Sequence, residues 1–91
     1  MAMAFDLDVA VVGGCGHVGL PLSIALAQQG LCVVAYDTDA KRVAEVSSGK
    51  MPFAEPTAPE RLAEVIAKGR FVASADPASV GQAEHIVVVI G

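Results

Sequence analysis

The stretch VVGGCGHVGLP at 11–21 constrains this chain more than any other part of its sequence. Its glycines Gly14, Gly16 and Gly19 have the spacing G-x-G-x-x-G. The apolar run LDVAVVG leads into them and predicts a buried strand, and apolar residues at helical spacing follow them. A strand, a glycine-rich turn and a helix in this order are typical of a turn that holds the pyrophosphate of a dinucleotide.

Each glycine has a separate physical role in such a turn. Gly14 allows the chain to turn sharply out of the strand, Gly16 lets the backbone approach a pyrophosphate, and Gly19 lets the helix pack closely on the sheet. The first backbone N–H groups of the helix point at the phosphates, together with the positive end of the helix dipole. Pro21 fits this position because the first helical turn has no acceptor for the N–H that proline lacks.

An acidic residue stands where a dinucleotide site needs one. The run LCVVAYD predicts a second buried strand, and it ends in Asp37, 23 residues after Gly14. The expected interval is about 20 residues, and the carboxylate there accepts hydrogen bonds from the adenosine ribose. It repels a 2′-phosphate and so favours NAD over NADP, although Arg42 nearby can hold a 2′-phosphate. The alternative is a turn with incidental glycines in which Asp37 caps a helix.

The rest of the chain continues the alternation of strands and helices. The predicted elements are a strand at 7–13, a helix at 17–29, a strand at 31–37, a helix from Thr38 or Asp39 to Gly49, a loop at 50–59, a helix at 59–69, a strand at 70–74, one turn or helical turn at 76–83 and a strand at 84–91. The last strand is apolar on both faces, which is the pattern of a parallel strand buried between helices. This order predicts an α/β chain: a partial Rossmann fold, with a doubly wound parallel sheet of about four strands and helices on both faces.

Length and composition limit the function further. Ninety-one residues form one domain, 1–91, with a small core. The chain is 54% hydrophobic and only 18% charged, and its net charge of −4 argues against a nucleic-acid partner. It has no signal-peptide pattern and no apolar run long enough for a membrane span. The apolar excess and a fourth strand left unpaired at the sheet edge predict a homo-oligomer.

The reactive side chains form no catalytic or metal set. Cys15 and Cys32 have no cysteine or histidine partner at metal spacing, so we predict no metal site and two free thiols in a cytoplasmic protein. A thiol at a helix N-terminus can have a lowered pKa, but we assign Cys15 no chemistry because a pyrophosphate beside it would disfavour a thiolate. His17 has no acid or nucleophile near it in the sequence, so we expect only its backbone N–H to matter, and we expect His85 to be structural.

The run GGCGHVGLPLSIALAQQGLCVVAYDTDAKRV resembles the start of the nucleotide-sugar 6-dehydrogenases, the UDP-glucose/GDP-mannose dehydrogenase family. That family opens with a G-x-G-Y-V-G-L-P turn, followed by a strand that ends in Asp with Lys or Arg shortly after. GKMPFAEP is similar to a family loop that carries Pro and then Glu-Pro. FVASADPASVGQAEHIVVVIG is similar to the family's third strand, short helix and fourth strand, so the resemblance covers Val9 to Gly91.

The resemblance implies an NAD-binding segment of a larger enzyme, truncated after the fourth strand, with the catalytic and substrate domains absent from this chain. The parent would oxidise the C6 alcohol of a UDP- or GDP-sugar to the uronate, as in polysaccharide biosynthesis. The resemblance assigns NAD contacts here, and no catalytic residue; the contacts are Gly14, Gly16, His17, Val18 and Gly19 at the pyrophosphate, and Asp37 and Arg42 at the ribose. We therefore expect this chain alone to be inactive, and the nucleotide sugar to bind only in the full-length parent.

Departures from the family pattern leave two alternatives open. Cys15 and His17 stand where the family has other residues, the second commonly aromatic, and TAPERL after Glu55-Pro56 replaces the usual GL. A different Rossmann oxidoreductase with an NAD(P)- or FAD-binding segment has the same strand–turn–helix unit, and so does a non-enzymatic nucleotide-binding or interaction module. The loop MPFAEP favours the nucleotide-sugar dehydrogenases over other oxidoreductases.

Overall fold

The computed structural model describes residues 6–89, and its elements follow the predicted order. The elements are β1 (Leu7–Val12), α1 (Gly19–Gln28), β2 (Val33–Tyr36), α2 (Ala40–Ser47), α3 (Ala58–Ala67), β3 (Phe71–Ser74), a 3-10 helix (Pro77–Gln82) and β4 (Ala83–Val88). The prediction of an α/β chain is confirmed. Helix α1 begins two residues later than predicted because the backbone before Gly19 still belongs to the glycine turn.

All four strands are parallel, in the order β3-β2-β1-β4. The chain builds outward from β1 to β2 and β3 and then returns to the other side of β1. There β4 pairs in a register that places His85 beside Val9 and Val88 beside Val12. The direction of winding thus reverses between β1 and β4. In open parallel sheets, ligands bind beyond the carboxyl ends of the strands at such a reversal.

The main core lies on one face of this sheet. Side chains of the first three strands pack there against α1, α2 and α3; the most buried are Val11, Leu20, Ile24, Val33, Ala35, Val46, Leu62 and Val65. On the opposite face, Ala10 and Val34 form a smaller core with Val80 of the 3-10 helix. Helical segments lie on both faces, as predicted, but all three α-helices share one face.

The burial predicted for the last strand is wrong. Only Ala83 of β4 is buried, whereas Ile86 and Val88 are 54% and 62% exposed. The physical reason is that the α-helices cover side chains of β1, β2 and β3, whereas β4 contributes only Ala83, at its start, to a buried cluster among residues 6–89. The predicted edge position is confirmed, and homo-oligomerisation through it stays a prediction. The last two residues of the predicted strand, Ile90 and Gly91, lie outside the described residues.

The residues just before α2 and α3 determine how these two helices begin. Asp39 caps α2, as predicted, because its side chain accepts a hydrogen bond from the Arg42 N–H at 3.1 Å. Before α3, Thr57 has a φ of 63°, a left-handed conformation that glycine adopts most easily. Thr57 is the one non-glycine residue with a positive φ among the described residues. The longest helices among the described residues have ten residues, about half of what a membrane span needs.

Candidate functional site

The glycine turn leaves β1 and is held tightly against β2. Gly13 has a φ of +83°, so the left-handed residue at the end of β1 is Gly13, which directly precedes the G-x-G-x-x-G motif. The N–H groups of Gly13 and Gly14 both donate to the Tyr36 carbonyl oxygen at 2.9 Å. A Cβ on Gly14 would lie 2.6 Å from the Cα of Ala35, and this close contact with β2 requires glycine. Gly14 therefore shapes the turn from its buried side.

Gly19 and Gly16 differ in what their missing Cβ atoms would meet. A Cβ on Gly19 would overlap the Gly13 carbonyl oxygen, so the close packing predicted for this glycine is made on the turn itself. A Cβ on Gly16 would lie no closer than 3.6 Å to another described atom, which is ordinary contact. The fold does not need a glycine at position 16. The space left there is free for a ligand.

Three backbone donors in succession open α1. The N–H groups of His17, Val18 and Gly19 donate to no acceptor among the described residues. The next donor, Leu20 N–H, is already used by the Gly16 carbonyl oxygen at 3.0 Å. Unpaired N–H groups at a helix N-terminus, next to a position without Cβ, form a site for an anion such as a phosphate.

The Asp37 carboxylate is fixed at the end of β2, beside the turn. One oxygen, Oδ2, accepts a hydrogen bond from the Cys15 N–H at 3.2 Å, and Oδ1 accepts one from the Asp39 N–H at 3.1 Å. The sequence predicted Asp37 as a ribose acceptor or a helix cap. The structure adds that it joins the glycine turn to the start of α2, so its carboxylate has little freedom to rotate.

A cleft lies at the carboxyl edge of the sheet, beyond the ends of β1, β2 and β4. It contains six of the seven residues assigned to the cofactor, all except Gly14; its lining is Gly13, Gly16, His17, Val18, Gly19, Asp37, Arg42 and Val89. Sequence reasoning missed Gly13 and Val89. The doubled glycine of VVGG was a signal for Gly13, whereas Val89 depends on the pairing of β4 with β1, where its N–H donates to the Val12 carbonyl oxygen.

The loop between α2 and α3 reaches the turn through an aromatic stack. The rings of His17 and Phe53 lie 4.3 Å apart between centroids, with 18° between their planes. Phe53 and Met51 also pack against the main core. The backbone of His17 belongs to the cleft, as predicted, but its side chain has a defined partner that the sequence did not indicate.

Cys15 is a packing residue. Its side chain is fully buried, and burial, followed by the negative charge of Asp37, raises the pKa of its thiol from 9.0 to about 12. The lowering that a helix N-terminus can cause is therefore outweighed. This agrees with the decision to assign Cys15 no chemistry.

Comparison with known proteins identifies the family. Residues 7–91 match the sequence profile of the UDP-glucose/GDP-mannose dehydrogenase family, NAD binding domain. The chain belongs to this family. The UDP-glucose/GDP-mannose dehydrogenases are oxidoreductases, and this chain is an NAD-binding domain of that family with a Rossmann-like fold. The cofactor is therefore NAD, as predicted from the sequence.

Several family members resemble this chain over part of their length. A UDP-N-acetyl-D-mannosamine dehydrogenase of Pyrococcus horikoshii is 37% identical over 64 residues, which are 70% of this chain and 15% of that protein. The match to a solved UDP-D-ManNAc dehydrogenase from the same organism covers 92% of this chain and 20% of that chain, with a TM-score of 0.87 and 27% identity. A UDP-glucose dehydrogenase from Pyrobaculum islandicum shares the fold over 100% of this chain and 21% of its own, with a TM-score of 0.86 and 22% identity. This chain thus spans about a fifth or less of these relatives.

Proposed function

We propose that this domain supplies the NAD site of an enzyme that oxidises the C6 alcohol of a UDP- or GDP-sugar to the uronate. The family membership supports this reaction, and the names of the relatives favour a UDP-sugar over a GDP-sugar. The chain spans about a fifth or less of those relatives, so the reaction is a proposal for the whole enzyme. We infer that the 91-residue chain alone is inactive and that the enzyme works in the cytoplasm.

The observation that carries the proposal is the cleft at the helix N-terminus. The N–H groups of His17, Val18 and Gly19 are available to the pyrophosphate, and Gly16 leaves room for its oxygens. Charge-assisted hydrogen bonds of this kind contribute about 1.5–3 kcal/mol each. When bound, NAD would accept the hydride in each of the two oxidation steps from alcohol to carboxylate, whereas the residues of this chain bind and orient the cofactor.

Asp37 selects NAD over NADP in this proposal. Its carboxylate lines the cleft and is held by the Cys15 and Asp39 N–H groups, so both oxygens stay at the end of β2. A ribose with two free hydroxyls donates to such a carboxylate, and a 2′-phosphate is repelled by it. Arg42 lines the same cleft and offsets part of that repulsion. We expect a preference for NAD with measurable residual binding of NADP.

Titration calorimetry with NAD and NADP tests the assignment. Asp37→Asn removes the charge and keeps one oxygen to accept the Cys15 N–H, while its amide NH2 group faces the Asp39 N–H; alanine would release both N–H groups. We expect NAD binding to weaken by about tenfold and the preference over NADP to shrink. Asp76→Asn is the matched control, since Asp76 also accepts a backbone hydrogen bond, from Ala78 N–H at 3.0 Å, but outside the cleft. Equal affinities of the wild type and Asp37→Asn for both nucleotides would contradict the role of Asp37.

The inactivity of the chain has its own test. Incubating the purified chain with NAD and a UDP- or GDP-sugar, while recording NADH absorbance, should give no turnover. Measured turnover would show that the chain carries a catalytic set that we have not assigned.

A further inference from the structure

The backbone of His17 lacks the hydrogen bonds that hold its neighbours in the glycine turn. The carbonyl oxygens of Gly16 and Val18 each accept a hydrogen bond from the N–H group four residues later, at 3.0 and 3.3 Å. The His17 carbonyl oxygen would accept from residue 21 in the same series, but Pro21 has no N–H. No other described residue donates to this oxygen, and the His17 N–H has no acceptor among them.

The side chain of His17 supplies a constraint that its backbone lacks. Its ring stacks on Phe53, with 4.3 Å between the centroids and 18° between the planes. Phe53 packs, together with Met51, against the main core. A stacked aromatic pair contributes free energy beyond the apolar area that it buries. Because the ring is held, rotation of the backbone at His17 is restricted, and so is the direction of its N–H.

Phe53 itself lies outside the cleft. The residues that line the cleft include His17 and its neighbours Val18 and Gly19, but not Phe53. Phe53 belongs instead to the loop between α2 and α3, where its side chain is half-buried. A change at Phe53 can therefore reach a ligand in the cleft through the position of His17.

We propose that Phe53 is a positioning residue for NAD: through the stack, it holds the His17 N–H in the direction in which this group donates to a phosphate. The inference rests on the proposed function, because it needs the cofactor in the cleft. A donor that is ordered before the ligand arrives costs no ordering free energy on binding, so the ligand binds more tightly. The His17 ring acts here by its position, and its charge has no part in the proposal.

Calorimetric titration with NAD tests the proposal. Phe53→Leu keeps an apolar side chain for the core and removes the ring, so the affinity for NAD should fall by about two- to tenfold, the factor that corresponds to one aromatic pair. Phe53→Tyr keeps the ring and should bind as the wild type does. Met51→Leu is the matched control, since it changes the packing of the same loop on the core without removing a ring, and its affinity should be unchanged.

Two further backgrounds distinguish positioning from packing. His17→Ala removes the partner ring and keeps the N–H, so adding Phe53→Leu to it should not change the affinity further. Pro21→Ala provides an N–H that can donate to the His17 carbonyl oxygen, so the loss caused by Phe53→Leu should be smaller there. A residue that only packs changes the free energy of unfolding in urea, and any loss of affinity is the same in all three backgrounds.

The outcomes separate this inference from the proposed function. Wild-type affinity in Phe53→Leu, or an equal loss with and without the His17 ring, overturns the positioning role while the NAD site stands. A loss in Met51→Leu as large as that in Phe53→Leu also overturns it. If Phe53→Leu does not fold, His17→Ala alone decides, because it should show the same two- to tenfold loss, and unchanged affinity overturns the role. No heat of NAD binding in the wild type overturns the proposed NAD site, and this inference with it.

Discussion

Replacing Gly16 by alanine tests whether the turn is built for folding or for a ligand. A Cβ at this position would lie 3.6 Å from the Gly13 carbonyl oxygen and meets no other described atom within 4 Å. Gly16 is not among the glycines with positive φ, so alanine can adopt its backbone. The added methyl group would instead project into the space that we assign to the pyrophosphate. Gly16→Ala should therefore fold normally and bind NAD poorly.

The expected magnitudes follow from the contacts. Alanine in a compatible glycine position stabilises a protein by about 0.4–1 kcal/mol, because the unfolded chain has fewer conformations. The methyl group displaces the phosphates from at least one N–H donor of the turn, and a hydrogen bond to a charged group contributes about 1.5–3 kcal/mol. The affinity for NAD should therefore fall by about 10- to 100-fold. In Gly16→Ala, the free energy of unfolding should therefore rise while the affinity for NAD falls.

The assay measures both quantities on the same samples. Urea unfolding followed by circular dichroism gives the free energy of unfolding, and calorimetric titration gives the affinity for NAD. Gly81→Ala is the matched control, since its Cβ meets no described atom within 4 Å and its place in the 3-10 helix is outside the cleft. Gly19→Ala is the opposite case: its Cβ would overlap the Gly13 carbonyl oxygen, and this overpacking should cost about 3 kcal/mol of stability.

Two results would refute the reasoning. If Gly16→Ala binds NAD as tightly as the wild type, the phosphates do not pass this position. If Gly16→Ala loses stability as Gly19→Ala does, the turn requires glycine there for its own packing, and a lower affinity would say nothing about the ligand.

Three further predictions concern stability and thiol chemistry. Thr57→Gly should raise the free energy of unfolding, measured in urea, by about 0.5–1 kcal/mol. Relieving a left-handed non-glycine residue gains about 1–2 kcal/mol, and the greater entropy of glycine in the unfolded chain removes part of this gain. A loss of stability would contradict the prediction. A thiol reagent should modify the native chain once, at the half-buried Cys32, and the denatured chain twice, because Cys15 is fully buried in the fold. Mass spectrometry measures the number of modified thiols. Rapid labelling of Cys15 in the native chain would contradict the prediction. The pKa of the Cys15 thiol is raised from 9.0 to about 12 in the folded state, so its contribution to stability is complete below pH 9 and is lost between pH 9 and about 12, by about 1.4 kcal/mol per pH unit. The difference in unfolding free energy between the wild type and Cys15→Ala should shrink over this range, and a constant difference would disprove the assignment.

Local patterns in the sequence predicted most of the fold. The apolar runs before Gly13 and before Asp37 are strands, and Asp39 caps α2, because each of these features depends on residues close together in the chain. The strand–turn–helix order at the glycines and the acidic residue at the end of β2 also follow from local spacing. Family resemblance then supplied NAD, and the comparison with known sequences confirmed it.

Burial of β4 could not be predicted from its own residues. The apolar pattern of β4 shows which of its side chains could be buried. Whether they are buried depends on whether other parts of the chain pack over the strand. Within residues 6–89, Ile86 and Val88 face solvent because the core that the α-helices cover contains side chains of β1, β2 and β3 and none of β4. Thr57 is a similar case, since nothing in its residue type indicates a left-handed backbone.

The sequence by itself determined the order of the elements, the glycine turn between β1 and α1 and the acid at the end of β2. These properties are set by periodicity and short spacing. Tertiary structure decided which glycine serves which purpose, because Gly14 meets Ala35 on β2 and Gly19 meets the turn, while Gly16 meets little. It also placed Phe53 on His17 and closed the cleft with Val89. These contacts join residues far apart in the chain, and only the packing of strands and loops brings them together.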